Sequence, residues 1–90
     1  MAKSKTITVK KVLDGDTFVT ENNEKIRIAG VDTPEKGKPG AARARTYLKN
    51  QIDGDRIVIK PVAKDKYRRT VAHVYKDGRS VGKKIKKRRF

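Results

Sequence analysis

Three short segments that alternate apolar and polar residues, each next to a tight-turn sequence, most constrain how this chain can fold. Residues 6–13, 17–21 and 25–31 place β-branched and other apolar residues at alternate positions, a pattern typical of strands with one buried face. "DGD" at 14–16 and "NN" at 22–23 lie between these segments and favour turns, because Asp, Asn and Gly accept turn conformations. We therefore predict three consecutive strands.

One amphipathic helix is predicted after a loop. Residues 33–40 contain two prolines and two glycines, which favour a loop. In 41–52 the apolar residues of one stripe recur at helical spacing and are Ala41, Ala44, Leu48 and Ile52. This stripe predicts a helix with one buried face.

Two more strands complete the predicted architecture. They cover 56–62 and 70–76 and are joined by the polar, basic connection 64–69. An order of three strands, one helix and two strands is that of the OB fold. The expected fold is therefore mainly β (α+β): a five-stranded OB-fold barrel with one helix between strands three and four. Gly30 suits the sharp bend that a small barrel needs.

The length predicts a single small domain. The chain has 90 residues, which is the size of one domain. We assign 1–82 to the barrel domain and 83–90 to a short basic C-terminal tail. Six of the nine residues in 82–90 are basic and show little periodicity, so we expect this stretch to contact phosphate groups.

The charge balance indicates a polyanionic partner. Lys and Arg number 25 against 10 Asp and Glu, which gives a net charge of +15. Such a protein collects polyanions, nucleic acid foremost, although a ribosome or an anionic membrane surface fits the same charge. No apolar run is long enough to span a membrane. No secretory signal is visible, so we expect a cytoplasmic protein, or a secreted one if the sequence lacks its signal.

The scarce acidic residues are clustered beside arginines. "RIAGVDTPE" at 27–35 contains Asp32 and Glu35, and "LDGDT" at 13–17 contains two more aspartates. Asp32 alone fits a strand-end turn cap equally well. Arg27 and the later "KYRR" at 66–69 change that balance, because carboxylates bind hard cations, arginines bind phosphate, and phosphodiester cleavage uses both. With no cysteine, thiolate metal sites and disulfides are excluded.

The other conspicuous side chains have simpler explanations. His73 is the only histidine, and we expect it to pack within strand five rather than to bind a metal or act as a base. Tyr47 is likewise expected to pack. Tyr75 could pack or stack on a base, and we favour packing.

Three ordered motifs resemble the staphylococcal nuclease, or thermonuclease, family. They are "VLDGDT", "IRIAGVDTPE" and "DKYRRTVAHVY", and the resemblance runs from about residue 9 to residue 82. The resemblance implies an OB barrel, in agreement with the strand order. It also implies Ca²⁺-dependent hydrolysis of DNA and RNA that leaves 3′-phosphate ends.

The resemblance assigns a metal site and a base. Asp16 and Asp32 would supply carboxylate ligands to Ca²⁺, and Thr33 its backbone carbonyl. Glu35 would be the general base that activates water. Two carboxylates and one carbonyl leave room for water and substrate among the six to eight oxygens that Ca²⁺ takes.

The resemblance also assigns the phosphate-binding groups. Arg27 would bind the scissile phosphate, and Arg69 would be the second arginine on it. Lys66 and Tyr67 would hold the neighbouring phosphate. Arg68 stands where the family commonly has glycine, so a left-handed turn there would strain it. Alternatively, the loop differs here, and Arg68 rather than Arg69 reaches the phosphate.

A second function class remains open at this point. The family continues past the barrel with a helical C-terminal part that contacts the base, so we expect weaker affinity, lower activity or dependence on dimerisation here. The alternative to a nuclease is a non-catalytic nucleic-acid-binding OB module. A degenerate module would lose several members of the charged set, and none is lost. We expect a monomer or weak dimer that prefers single strands and does not bind membranes.

Overall fold

The computed structural model describes residues 3–88 and residue 90. Its six strands and two helices follow one another in the order β1 (Lys5–Val12), β2 (Thr17–Thr20), β3 (Lys25–Ile28), α1 (Ala41–Ile52), β4 (Arg56–Lys64), β5 (Thr70–Lys76), β6 (Arg79–Ser80) and α2 (Val81–Lys86). The five longer strands and α1 match the predicted order, and β6 is a two-residue addition.

The sheet closes into a barrel. Its strand order is β3-β2-β1-β4-β5-β6, with antiparallel neighbours, and a parallel pairing joins β3 to β5. In that pairing Arg27 of β3 lies opposite Val71 of β5. Closure leaves no free edge on either of these strands at this point. The predicted five-stranded OB barrel with one helix between strands three and four is confirmed.

The core fills the barrel from both the strands and the first helix. Phe18, Ile26 and Ile59 are fully buried, and Leu48 and Ile52 of α1 reach the same cluster. The strand residues are buried at alternate positions, as the period of two requires. Burying a side chain of this size stabilises the fold by roughly 1.5–3 kcal/mol. The stripe predicted for the helix is therefore its core-facing side.

The third strand is shorter than predicted. The prediction ran to residue 31, whereas β3 ends at Ile28. Gly30 adopts a φ of +75°, which a continuing strand does not allow. The bend predicted at Gly30 is confirmed, and Val31 beyond it is again buried.

Two other expectations need correction. His73 is exposed rather than packed, because Ala72 and Val74 are the β5 residues that face the core. The stretch expected to be a tail contains helix α2, in which Val81 and Ile85 are buried. Ser80 caps this helix, since its Oγ accepts a hydrogen bond of 3.2 Å from the Lys83 amide. The division at residue 82 stays a prediction.

Among the described residues, neither helix combines the length and apolar composition that a membrane crossing requires.

Candidate functional site

An open cleft lies where β3 meets β5 and the turn that precedes β5. Of the nine site residues predicted from the sequence, five line this cleft: Arg27, Asp32, Lys66, Tyr67 and Arg69. The parallel β3–β5 pairing is responsible, because it brings the "RIAGVD" and "DKYRR" segments side by side.

Arg27 is fixed within the cleft by two oxygen atoms. Its Nη1 donates a hydrogen bond of 2.7 Å to the carbonyl of Ile28. Its Nη2 lies 3.5 Å from Oδ2 of Asp16. The guanidinium has five N–H donors, so donors remain for a bound anion.

Arg69 is held by a carboxylate that the sequence reading did not single out. Asp65 Oδ2 accepts a hydrogen bond of 2.7 Å from Arg69 Nε, and its Oδ1 accepts from the amides of Tyr67 and Arg69 at 2.9 and 3.0 Å. Desolvation opposes ionisation of Asp65, but these bonds outweigh it and lower its pKa. The i,i+4 spacing of Asp65 and Arg69 in "DKYRR" was the available signal.

Thr17 joins the two arginine positions. This buried residue accepts a hydrogen bond of 3.2 Å from Arg69 Nη1 through its Oγ1. The same hydroxyl donates 3.0 Å to Oδ1 of Asp16. A continuous chain of contacts therefore runs from Arg69 through Thr17 and Asp16 to Arg27. The sequence did not predict this hydrogen-bonding role, because Thr17 has the pattern of an ordinary strand residue.

Arg68 lies apart from these contacts. Its φ is +65°, so the first of the two alternatives, a left-handed turn at Arg68, is the one observed, with a cost of roughly 1–2 kcal/mol for an L-residue. Arg68 is exposed and does not line the cleft. Between the two candidates for the second arginine, the geometry favours Arg69.

Asp16 is a buried carboxylate beside a second acid. Burial raises its pKa most, the hydrogen bond and charge of Asp14 raise it further, and Arg27 and the Thr17 hydroxyl lower it. The Asp14 carboxylate accepts a hydrogen bond of 3.0 Å from the Asp16 amide. An anion in such surroundings is stabilised by a nearby cation.

Close packing at Gly15 brings the Asp16 loop against the loop that contains Thr33. A Cβ on Gly15 would lie 2.6 Å from the Ala44 Cβ and 2.7 Å from the Thr33 Oγ1. Only glycine fits this space without a shift. Thr33 is buried, whereas its neighbour Asp32 is exposed to the cleft.

Glu35 is a predicted site residue that takes no part in the arginine contacts described above. It is exposed in the loop after Asp32 and does not line the cleft. Its backbone carbonyl accepts a hydrogen bond of 2.9 Å from the Lys38 amide, which shapes a turn. Its carboxylate faces solvent.

The donors predicted for a metal are all oxygens. Carboxylates of Asp16 and Asp32 and the carbonyl of Thr33 are the hard ligands that Ca²⁺ takes. Over residues 3–88 and 90 there is no group of three acidic, histidine or cysteine side chains arranged to hold a metal. The donor set thus fits Ca²⁺ in its chemistry, with protein ligands too few to enclose the ion.

The chain is similar in sequence to known nucleases. It is 36% identical over 78 residues to the thermonuclease of Staphylococcus intermedius, a match that covers 74% of this chain and 46% of that protein. The thermonuclease of Staphylococcus hyicus is 32% identical over 85 residues, with 82% and 50% covered. A protein of Haemophilus influenzae named an uncharacterized endonuclease is 34% identical over 74 residues, with 78% and 42% covered.

These matches cover most of this chain but only part of each relative. The chain spans about half the length of the curated relatives it matches. A sequence model of the family described as "Staphylococcal nuclease homologue" matches residues 25–88, which include every residue that lines the cleft. The chain therefore belongs to the staphylococcal nuclease homologue family.

Proposed function

We propose that this protein is a Ca²⁺-dependent phosphodiesterase that cleaves DNA and RNA, preferably single strands, as a monomer or weak dimer. The observation that carries the proposal is the pair of guanidinium groups, Arg27 and Arg69, which line one cleft together with Asp32. Two fixed guanidinium groups beside a carboxylate are suited to bind a phosphodiester and to stabilise the negative charge that develops on it during cleavage. Relatives named as nucleases support the reaction class.

The two arginines bind the reacting phosphate in this proposal. Asp16 and Asp65 keep the guanidinium planes in place, so little reorganisation is needed when charge develops on the phosphate oxygens. Removal of one such preorganised donor costs on the order of 10²–10³ in rate. Lys66 and Tyr67, on the same wall, bind the next phosphate of the strand.

Asp16, Asp32 and the carbonyl of Thr33 are the proposed ligands of the metal. When bound, Ca²⁺ neutralises charge on the phosphate and lowers the pKa of a coordinated water. Asp16 is prepared for this by its position beside Asp14, because the mutual repulsion of two carboxylates is relieved by a cation. The contact of Gly15 with the Thr33 side chain keeps the two ligand-bearing loops adjacent.

Glu35 is the proposed general base. It lies three residues after Asp32 in the same loop, with its carboxylate open to solvent. It would accept a proton from the attacking water as the water oxygen bonds to phosphorus and the bond from phosphorus to the 5′-oxygen breaks. The leaving 5′-oxygen takes a proton from solvent water, which yields a 3′-phosphate and a 5′-hydroxyl. A side chain that reaches the proton only in the substrate complex is compatible with a looser arrangement beforehand.

A non-catalytic nucleic-acid-binding module is the second candidate. The observation that favours it is the exposed position of Glu35 away from the cleft lining, combined with a net charge of +15. Both functions predict binding that weakens steeply with salt. Only cleavage separates them.

The test compares Glu35→Gln with Glu21→Gln, a matched change at another exposed glutamate. Each protein is incubated with single-stranded DNA or RNA, in Ca²⁺ or in chelator. Cleavage by the wild type and by Glu21→Gln only in Ca²⁺, with Glu35→Gln slower by roughly 10²–10⁴ but still binding, supports the proposal. Binding without cleavage by the wild type at any concentration would establish the non-catalytic module.

A further inference from the structure

A second groove continues from the arginine cleft along helix α2. We call it the α2 groove; its principal lining residues are Ala29, Gly30, His73, Tyr75, Lys83 and Lys86. From the sequence, we expected phosphate contacts from the basic stretch that contains Lys83 and Lys86, but no nucleic-acid contact from His73. Two of them, Ala29 and Gly30, also line the arginine cleft. The two depressions therefore meet along this backbone segment.

Lys86 stands over the junction. Gly30 has no side chain, and a Cβ built there would lie 3.6 Å from the Lys86 Nζ. The ammonium group thus lies directly above the backbone that separates the two depressions. A strand that passes from one to the other would place a phosphate within reach of this charge.

Close packing of α2 explains why its lysines are held in this position. A Cβ on Gly82 would lie 3.3 Å from the Val31 Cγ2 and 3.4 Å from the Ile28 Cγ2, so glycine lets the helix approach the end of β3. Val81 and Ile85 anchor the opposite side of α2 in the core. The basic side of α2 is therefore part of the folded domain.

The groove combines charge with ring surfaces. Lys83 and Lys86 are three residues apart on the helix, which makes them neighbours. Both are exposed, and neither ammonium group has an ion-pair partner within the described part of the chain. His73 and Tyr75 share one face of β5, since they are two residues apart in a strand. Basic side chains beside aromatic rings are the combination that binds single-stranded nucleic acid.

We propose that the α2 groove binds the part of a single strand that extends beyond the cleaved phosphodiester. Lys83 and Lys86 contact two of its phosphates, and the rings of His73 and Tyr75 contact its bases. The proposal rests on the proposed function, because the arginine cleft sets where the strand starts. Affinity should therefore depend on strand length, because a dinucleotide occupies only the arginine cleft, whereas a longer strand also occupies the α2 groove.

The charge count gives the expected size of the effect. Each phosphate contact with a single strand adds about 0.7 to the magnitude of the slope of log affinity against log salt concentration. At 0.1 M salt, one such contact raises the affinity about fivefold. Loss of both lysine contacts should then lower the slope by about 1.4 and the affinity by about 25-fold. A dinucleotide should show neither change.

The experiment uses Lys83→Gln/Lys86→Gln, with Lys3→Gln/Lys49→Gln as a matched control of equal charge at exposed positions outside the groove. Binding of fluorescent oligothymidylates, two and twenty nucleotides long, is measured in chelator over a salt series. Cleavage of both is measured in Ca²⁺. Circular dichroism checks that both double variants stay folded.

We expect Lys83→Gln/Lys86→Gln to bind the twenty-nucleotide strand more weakly and with a smaller salt slope. Its binding of the dinucleotide, and the binding of both strands by the control variant, should not change in this way. Equal losses for both lengths, or equal losses in the control, would overturn it. Failure of the proposed function is seen separately, as absence of cleavage by the wild type. The length dependence of binding would still report on the groove in that case.

Discussion

Replacement of Thr17 by valine removes a single hydroxyl that connects the two arginines of the cleft. This hydroxyl donates to the Asp16 carboxylate at 3.0 Å and accepts from Arg69 at 3.2 Å. Valine has nearly the same shape, so the core packing around this buried residue is kept. The change therefore isolates the hydrogen bonds.

The loss in free energy of unfolding depends on which hydrogen-bond partner of Thr17 is buried. Arg69 is partly exposed and can bond to water instead, so its lost contact costs little folding energy. Asp16 is largely buried, so water replaces its lost hydrogen bond less readily, and a hydrogen bond to a charged group contributes about 1.5–3 kcal/mol. We expect the free energy of unfolding to fall by that amount and Tm to fall by roughly 10–20 °C.

The effect on catalysis should be of similar size. Without the hydroxyl, Arg69 has one fewer contact to fix it, and the Asp16 pKa loses a group that lowers it. We expect kcat on single-stranded DNA to fall roughly 10- to 100-fold, the factor that corresponds to the same free energy.

Thr17→Ser is the matched control, because it keeps the hydroxyl and loses only a methyl group, at about 1 kcal/mol. Steady-state cleavage below the Tm of both variants, together with thermal denaturation, measures the two effects. If Thr17→Val cleaves as fast as the wild type, or if Thr17→Ser is equally slow, the hydroxyl does not position the cleft and the reasoning is refuted.

Three further predictions concern other parts of the fold. Gly15→Ala should destabilise by about 1–3 kcal/mol in thermal denaturation, because the new Cβ would come within 2.7 Å of Thr33; an unchanged Tm would contradict the packing argument. Arg68→Gly should raise stability by about 1 kcal/mol, because it relieves a φ of +65°, and a large loss of kcat would instead place Arg68 on the phosphate. For Glu24, desolvation is outweighed by the hydrogen bond from Thr70 and the charge of Lys5, so its pKa is lowered in the folded state. Its stabilisation is present at neutral pH and is lost as pH falls through and below about 4.3. Glu24→Gln should therefore be less stable than the wild type at pH 7, and this difference in stability should shrink as the pH falls below about 4.3. A difference that stays constant into acid would be inconsistent with a lowered pKa of Glu24.

The barrel could be predicted because its local signals agree. Alternating apolar residues, turn residues and one helical stripe each indicate the same element order, and burial of Ile26, Phe18 and Leu48 follows from it. The end of β3 was less predictable, because the apolar alternation continues to Val31 although Gly30 turns the backbone. Helix α2 was missed because six basic residues obscure a short stripe formed by Val81 and Ile85.

The site was predictable in its residue types and less so in its contacts. The motifs named the arginines and acids, and the β3–β5 pairing brings five of those residues to one cleft. The positions of Asp65 and Thr17 as partners of Arg69 depend on long-range closure of the barrel. A contact between residues 52 positions apart leaves no local pattern in the chain.

Whether the cleft holds the phosphate that reacts is tested by cleavage of single-stranded DNA in Ca²⁺ by the wild type and by Arg27→Lys. Lysine keeps the charge but loses the planar pair of donors. We expect Ca²⁺-dependent cleavage by the wild type and a kcat lower by a factor on the order of 10²–10³ for the variant. Equal rates for the two proteins, or no cleavage by the wild type above the enzyme-free control, would contradict it.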